Sequence, residues 1–463
     1  MRVLLAVPPG VEKLEIYKVT GIRAPPLGLA YIAAVLERAG HAVKIIDSPT
    51  LGLDKSSFLS EVKTWNPDVV GFTSLTPTAY KAYEAVKMIK EYDKDLPVII
   101  GGPHATFMYE EALSNGVDVV VRGEGEITTL ELVNVISRHG LNTEALRGVL
   151  GLAFKEGGRV VVTPDRPLIQ NLDTLPPPAR HLLPMEKYTV FNKPIRVAHV
   201  MASRGCPYGC VFCTTSYFWG RRYRFKSAKL VADEIEEVVN KYKANTIIFT
   251  DDELLVNKKF VCELLDEIEK RQLDITFSFG SRVDHVEKEL LQRLKKLGAT
   301  AIYLGVESAS QETLNRVNKR ITVEQAIRAF QVVKEVGIEA VGSFMLGFPW
   351  ETIEDMKRTV EFAIKLNPTY AQFAIVTPYP GTPLYQEALR DGLIEDFNWE
   401  NWTTLRAVMR GYRFVRREVQ RMLQWAYVKF YARVSYLINM VRKKQSAIIL
   451  KAFKEALSYI LSR

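Results

Sequence analysis

Three of the chain's four cysteines, Cys206, Cys210 and Cys213, lie on one stretch, Ser203-Arg204-Gly205-Cys206-Pro207-Tyr208-Gly209-Cys210-Val211-Phe212-Cys213. Three residues separate the first two and two residues the second pair. Thiolates are soft ligands that favour iron–sulfur and zinc centres. Three on one tight loop can hold three irons of a cubane 4Fe–4S cluster, and the lack of a fourth leaves one iron open to a substrate. Gly205, Pro207 and Gly209 suit a loop that must turn sharply and let its backbone approach the cluster. Structural zinc is the alternative, but tetrahedral zinc asks for four ligands. The remaining thiol, Cys262, falls in the apolar helical stripe 260–268 and is expected in the core.

A C-x3-C-x2-C loop with an aromatic, Phe212, just before its last cysteine resembles the radical S-adenosylmethionine (SAM) superfamily. The resemblance implies that the open iron chelates the amino and carboxylate groups of SAM. It implies too that an electron from the cluster cleaves SAM to a 5′-deoxyadenosyl radical, with the Phe212 backbone against adenine.

Elements must carry this loop. From residue 195 strands and helices alternate: strands at 196–201, 246–250, 275–280, 301–306, 339–345 and 370–376, helices at 229–242, 258–271, 287–297, 323–336 and 353–365. Six such units fit the partial (β/α)6 barrel of the radical SAM family, whose chemistry belongs at the carboxyl ends of the strands. The first strand leads into the cysteine loop. The second ends in Thr250, Asp251, Asp252 and Glu253, acids suited to the SAM ammonium group. The third ends in Arg282, which could take the SAM carboxylate bidentately. The fourth ends in Glu307 and Ser308, with Glu307 an acceptor for ribose hydroxyls or the amino group. The fifth brings Leu346, whose backbone would line adenine. Singly, each has a plainer reading: Asp251 and Asp252 as helix N-caps, Arg282 with Asp284 as a surface pair. Their shared rim with the cysteine loop favours the SAM-binding reading.

Residues 1–138 alternate in the same way, with apolar runs at 3–7, 43–46, 69–72, 98–100 and 117–121 and helical patterns at 27–38, 56–64, 79–92, 106–114 and 127–137. That pattern predicts an α/β, doubly wound, Rossmann-like parallel sheet, which binds ligands at its strand ends. Those ends carry Thr73, Ser74, Leu75, Gly101, Gly102, His104, Gly123, Glu124, Gly125 and Glu126, and small residues there let a large flat ligand reach the backbone. The stretches 25–36, 101–104 and 123–126 resemble the cobalamin-binding domain found ahead of many radical SAM enzymes, which makes these the candidate cobalamin residues. No histidine here is followed three residues later by glycine, so His104 is expected to position its loop and not to ligate cobalt. A hairpin at 149–154 and 160–163 and a stiff segment rich in proline, 172–184, follow. The expected domains are 1–147 for cobalamin, 148–194 for hairpin and linker, 195–390 for the barrel and 391–463 for a basic helical segment.

Apolar residues make up 47% and charged residues 25% of the 463, the proportions of a globular protein of two or three domains. The start of the chain reads as a strand and not as a secretory signal. Few, clustered cysteines point to a reducing compartment, hence to a cytoplasmic location. The net charge of +9 is uneven: residues 401–463 hold fourteen Lys or Arg against two Glu. Within them Val415, Val419, Met422, Leu423, Ala426, Phe430, Val434, Leu437, Ile438 and Val441 recur at helical spacing, with basic residues on the other faces, and a second amphipathic segment spans 448–461. Such helices could cap the barrel, or touch an anionic membrane and receive an apolar substrate from it. The stretch 430–437 resembles the tails of the anaerobic magnesium-protoporphyrin ester cyclase and hopanoid-tailoring groups.

Together the motifs resemble class B cobalamin-dependent radical SAM enzymes. The implied activity is methylation or cyclisation at an unactivated carbon of a hydrophobic substrate, a membrane lipid or a tetrapyrrole, with an external electron donor such as flavodoxin or ferredoxin. Arg221, Arg222 and Arg224, among aromatics, could bind an anionic group or shield the cluster. A tRNA methylthiotransferase is disfavoured because residues 1–194 contain no cysteine. Other RNA modification lacks an RNA-binding signature, so no nucleic acid is expected. An iron–sulfur sensor or electron carrier is the alternative that is not an enzyme.

Overall fold

A computed structural model describes residues 1–14, 23–188, 196–436 and 438. It divides into two compact units. The first is Met1–His199 with Tyr217–Gly220 and Arg224–Lys226; the second is Val200–Ser216 with Arg221–Tyr223 and the described residues from Ser227 onward.

The first unit is built on strands β1 Arg2–Val7, β2 Ala42–Asp47, β3 Val69–Thr73, β4 Val98–Gly101, β5 Val119–Val121, β6 Leu152–Glu156 and β7 Arg159–Val162. They form one sheet in the order β2-β1-β3-β4-β5-β6-β7. The first five are parallel. Their near-continuous apolar runs follow from helices covering both faces. The main helices are α1 Leu27–Arg38, α2 Lys55–Trp65, α3 Ala79–Tyr92 and α4 Gly125–His139. One core packs Val3, Leu5 and Ile45 against Leu29, Ala30 and Ala33 of α1; another packs Val69, Ile99 and Val119 against Leu132 and Ile136 of α4. Gly71 in β3 lies flat under Leu5, whose Cδ2 would stand 2.9 Å from an added Cβ. Strand order reverses between β1 and β3, which opens the ligand crevice of such folds at their carboxyl ends.

Two elements differ from expectation. The hairpin, read as part of a connecting segment, pairs antiparallel to β5 (Val121↔Leu152, Val119↔Phe154) and extends the sheet. Leu152, Ala153 and Phe154 are buried there, so the hairpin covers what would otherwise be an open sheet edge. The helix expected over 106–114 divides into Pro103–Phe107 and Tyr109–Ser114, broken at Met108 (φ −118°, ψ 39°).

The second sheet is β8 Val197–Val200, β9 Thr246–Phe249, β10 Thr276–Arg282, β11 Ala299–Glu307, β12 Glu339–Leu346 and β13 Tyr370–Ile375. These six strands neighbour one another in chain order, and β9 to β13 pair in parallel. Between them run α5 Ala228–Tyr242, α6 Lys258–Lys270, α7 Lys288–Lys296, α8 Val323–Val336 and α9 Ile353–Leu366, followed by α10 Pro383–Arg390 and α11 Arg416–Tyr431. Capping boxes start α8 (Thr322 with Gln325) and α9 (Thr352 with Asp355), satisfying first-turn amides that have no partner within the helix. Cys262 is only half-buried, since the core face of α6 is Phe260, Val261, Leu264, Leu265 and Ile268.

The basic tail helix is shorter than expected. It ends at Tyr431, and Val415 and Val434 are 56% and 71% exposed. Val419, Met422, Leu423, Ala426 and Phe430 are buried within the second unit, where α11 packs on α9 and β13. The Tyr427 hydroxyl bonds the backbone N–H and C=O of Phe373, and the Tyr431 hydroxyl those of Ala371. Two tyrosines one turn apart thus satisfy the outer edge of β13, an unpaired ladder otherwise prone to association. Leu437, Val441, Arg442, Lys443, Lys444 and the segment 448–461 lie outside the described residues. No helix among the described residues is long and apolar enough to cross a membrane.

Candidate cluster and cofactor sites

The cysteine loop leaves the end of β8 and is held from several sides. Gly205 and Gly209 adopt positive φ (87° and 68°), the conformation that glycine enters without steric cost. The Asp251 carboxylate accepts from the Ser203 hydroxyl and, at 3.3 Å, from the Ala202 amide. Asp252 accepts from the Gly205 amide at 3.2 Å and the Thr215 hydroxyl at 2.9 Å, tying together the two ends of the loop. Asn318 donates to the carbonyls of Tyr208 and Gly209. The Val211 amide donates to Val317 O, and its carbonyl accepts from the Leu384 amide. The aspartates therefore position the loop. Burial pushes Asp251 up to about 7 against the hydrogen bonds it accepts, and raises Asp252 too.

Cys210 is buried, and Cys206 and Cys213 are half-buried. Burial pushes the Cys206 thiol up to about 11, with each neighbouring thiol adding to the effect, and raises Cys210 and Cys213. The three thiols thus share one short loop and one largely buried setting. Among the described residues, no three His, Cys, Asp or Glu side chains are arranged to hold a single metal ion. A cubane asks for the first condition and not the second, since each thiolate caps a different iron. The donor set fits such a cluster.

The other strand-end residues arrive at the same rim. Thr250 is tied back to Val200, its amide and hydroxyl both donating to that carbonyl. Glu253 is buried and accepts from the Ser281 hydroxyl (2.8 Å) and His285 Nδ1 (3.1 Å). Arg282 forks onto Asp284 at 2.9 and 3.0 Å. This pair is not the surface pair of the plainer reading, because Arg282 is only 4% exposed. Glu307 has φ +69° beside a break in register between β11 and β12, and its carboxylate pairs with Lys319 Nζ at 2.7 Å. Both side chains press on Gly305, where a Cβ would meet Glu307 Oε1 at 2.6 Å and Lys319 Nζ at 2.7 Å. Burial alone would lower the Lys319 pKa; the charges of Glu307 and Cys210 outweigh it and raise it. Ser308 Oγ lies 3.5 Å from Glu351 Oε1. Glu351 also accepts from the Gly347 and Phe348 amides at 3.0 Å each, shaping the turn after Leu346, and burial pushes it up to about 7. Phe348 meets the Phe212 ring at 5.8 Å.

Sequence reasoning missed Tyr208, His285, Asn318, Lys319 and Glu351. Only Glu351 carried a local signal, an acid soon after a Gly-x-Pro turn. Tyr208 lies in the cysteine loop itself, but its partners His285 and Asn318, and Lys319, the partner of Glu307, reach the site only through the fold.

In the first unit the β3 and β4 ends meet. The Ser74 amide donates to Gly101 O, and the His104 amide donates to Ser74 O. Gly102 has φ +101°, and a Cβ there would stand 2.7 Å from Ser74 O. Thr73 is half-buried and Leu75 is 48% exposed at the tip of its loop. Gly123 donates to Thr106 Oγ1 at 3.0 Å, which brings the β5 end to the same edge. Gly102 thus seats the β4 end directly on the Ser74 backbone, and Gly101, Gly102 and Gly123 leave these strand ends bare of side chains, which fits the close approach of a broad flat ligand. Three candidates face inward. His104 is buried, with Nδ1 3.2 Å from Thr76 Oγ1 and Nε2 3.8 Å from Glu111, in keeping with a loop-positioning part. Glu124 is bound by Arg224 (2.9 Å) and the Ile169 amide (2.7 Å). Glu126 is 4% exposed. Gly125 packs against Ile32, 2.8 Å from an added Cβ.

Comparison with known proteins agrees with this division. The radical SAM superfamily matches residues 200–363, and the B12 binding domain matches residues 17–133. An uncharacterised methyltransferase of Pyrococcus horikoshii is 40% identical over 98% of this chain and 97% of its own length. An anaerobic magnesium-protoporphyrin IX monomethyl ester cyclase of Rubrivivax gelatinosus is 34% identical over 93% of this chain and 78% of its own. The fold is that of the cobalamin-dependent S-adenosylmethionine radical enzyme OxsB with aqua-cobalamin and S-adenosylmethionine bound. The TM-score is 0.76 at 18% identity, over 96% of this chain and 68% of the other.

Proposed function

The chain belongs to the family of cobalamin-dependent radical SAM methyltransferases and cyclases, and on that premise we propose that it transfers a methyl group to an unactivated carbon of an apolar, tetrapyrrole-like substrate. The cofactors of the family are a 4Fe–4S cluster, SAM and cobalamin. When bound, they supply a reducing electron, a carbon radical and a transferable methyl group.

The chain's own residues hold and orient these groups. Cys206, Cys210 and Cys213 ligate the cluster. Phe212 and the turn after Leu346 flank adenine. Glu253, Glu307 and Ser308 serve the amino and ribose groups, while Thr250, Asp251 and Asp252 fix the loop that brings the thiols to them. Thr73, Ser74, Leu75, Gly101, Gly102 and Gly123 form the backbone cradle for cobalamin, with His104, Glu124, Gly125 and Glu126 supporting it from within. A flavodoxin or ferredoxin supplies the electron. The observation that carries the reading is the three-thiol loop that leaves β8 and is locked to Asp251 and Asp252 after β9 and to Val317 and Asn318 within one unit.

Methyl transfer is preferred because the Pyrococcus relative named a methyltransferase matches over nearly the whole chain. Cyclisation is the second reading, favoured by the Rubrivivax cyclase. A tetrapyrrole is preferred over a membrane lipid because the apolar face of α11 is spent on packing within its own unit.

The test is anaerobic reconstitution with iron, sulfide and hydroxocobalamin, followed by SAM, a reductant and porphyrin acceptors. Stoichiometric cobalamin, 5′-deoxyadenosine and a methylated porphyrin are expected. A reduced cluster inert to SAM would overturn the enzyme reading. A ring-closed product without methyl gain would establish the cyclase instead.

A further inference from the structure

The ends of β9 and β10 and the turn after β10 converge on Tyr208, midway between the first two cysteines. The Arg282 guanidinium carbon lies over the Tyr208 ring, 3.6 Å from its centroid. The Tyr208 hydroxyl pairs with His285 Nε2. His285 Nδ1 reaches Glu253 Oε1 at 3.1 Å, and Glu253 also takes the Ser281 hydroxyl. The Tyr208 carbonyl is held by Asn318. Ring face, hydroxyl and backbone of one residue are therefore each fixed by a different element.

The donors of Arg282 are committed to the same arrangement. Nε and Nη2 form a fork on Asp284, and Nη2 also approaches Arg320 O at 3.4 Å. Nη2 has two hydrogens, so both are engaged. A bidentate grip on another carboxylate needs two adjacent N–H groups, and only Nη1 remains.

We propose that Arg282 is not the SAM carboxylate ligand in this chain but a positioning residue that, with His285, clamps Tyr208 and thereby sets the spacing of Cys206 and Cys210. The inference rests on the cluster reading above and assigns these residues to the loop. A planar cation stacked on a ring at a buried site is worth more than one in water. Lysine would keep the charge but lose both the stack and the fork.

The test uses the reconstituted full chain. The electron paramagnetic resonance spectrum of the reduced cluster is recorded without SAM and during a SAM titration, and the rate of iron loss to a chelator is measured. Arg282→Met and Arg282→Lys are each expected to change the SAM-free spectrum and to speed iron loss about tenfold. Tyr208→Leu should do the same, and the Tyr208→Leu, Arg282→Met double variant should be no worse than either single one, because both break one contact. Tyr208→Phe keeps the ring and the stack but loses the His285 contact, so its spectrum and iron loss should change less than those of Tyr208→Leu and more than wild type.

Variants of Arg282 with a wild-type SAM-free spectrum that need far more SAM to perturb it would overturn the proposal and restore Arg282 as a SAM ligand. Wild-type behaviour of Arg282→Lys on all three readouts would overturn the stacking argument. Failure of the wild-type chain to take up iron at all would refute the cluster reading itself, a result separate from either.

Discussion

At the cysteine loop, side chains fix the site. Asp251, Asp252, Arg282, His285 and Asn318 each reach in from another segment and bind a loop atom or ring. At the strand ends of the first unit the fixing contacts are mostly backbone to backbone, with Gly102 seated on Ser74 and His104 tied back to Thr76. The difference follows from what each site must hold. Thiolates around a cluster need set positions in a dry, charged setting, so polar side chains are buried there in matched pairs. A flat macrocycle needs close approach over a wide area, which side chains would obstruct and glycine permits. The first site should therefore fail when a partner is removed, and the second when an atom is added.

The largest effect tests whether the two sites are separable. Cys206→Ala should abolish the cluster's visible absorption and cut SAM cleavage by about 10³-fold or more, as expected for groups that act as one unit. Cobalamin uptake should persist. Loss of cobalamin together with iron would break the comparison. Next is the buried Lys319–Glu307 pair. Lys319→Met leaves a carboxylate desolvated and alone, which costs about 3–5 kcal/mol. Urea unfolding should register it, and a loss well under 1 kcal/mol would show that water reaches the pair.

Glu351 gives a smaller effect with a definite sign. Burial pushes its carboxyl from 4.5 up to about 7, so the folded chain binds this proton more tightly than the unfolded one. Stability from this group is full below the unfolded pKa and falls as pH rises toward the folded one, by on the order of 3 kcal/mol in all. Glu351→Gln keeps an oxygen for the Gly347 and Phe348 amides but does not titrate. Its Tm should vary less than that of wild type between about pH 5 and pH 8. Identical slopes would mean that the group is ionised throughout.

The strands were legible because each is a short apolar run between turn residues, and buried parallel strands demand such runs. The cysteine loop was legible from residue type and spacing alone. The clamp on it was not: Tyr208, His285 and Asn318 are joined only by the fold, and no periodicity announces such a meeting. Arg282 was found by its place at a strand end, yet what it binds depends on Asp284 and Tyr208. The tail pattern named Val419, Met422, Leu423, Ala426 and Phe430 as one face, and the chain buries all five. It overran at Val434, which is exposed because the helix ends at Tyr431, and Tyr436, not Val434, turns inward to the Thr369 carbonyl. The hairpin was recognised as a hairpin, but that it joins the sheet depends on the exposed edge of β5, a fact of tertiary structure.

The smallest expected effect bears on the site built from backbone. Gly102→Ala adds one methyl group at φ +101°, where its Cβ would meet Ser74 O at 2.7 Å. Strain of this kind costs about 1–3 kcal/mol, and the β3 and β4 loops can relieve it only by moving apart. Cobalamin affinity should then fall about tenfold, since each 1.4 kcal/mol is a factor of ten. Cluster content and its spectrum should not change, because the cysteine loop belongs to the other compact unit. Equilibrium titration with hydroxocobalamin measures the first and iron analysis the second. Unchanged affinity would mean that the ligand does not rest on this edge, and the cradle would have to be sought elsewhere in the first unit.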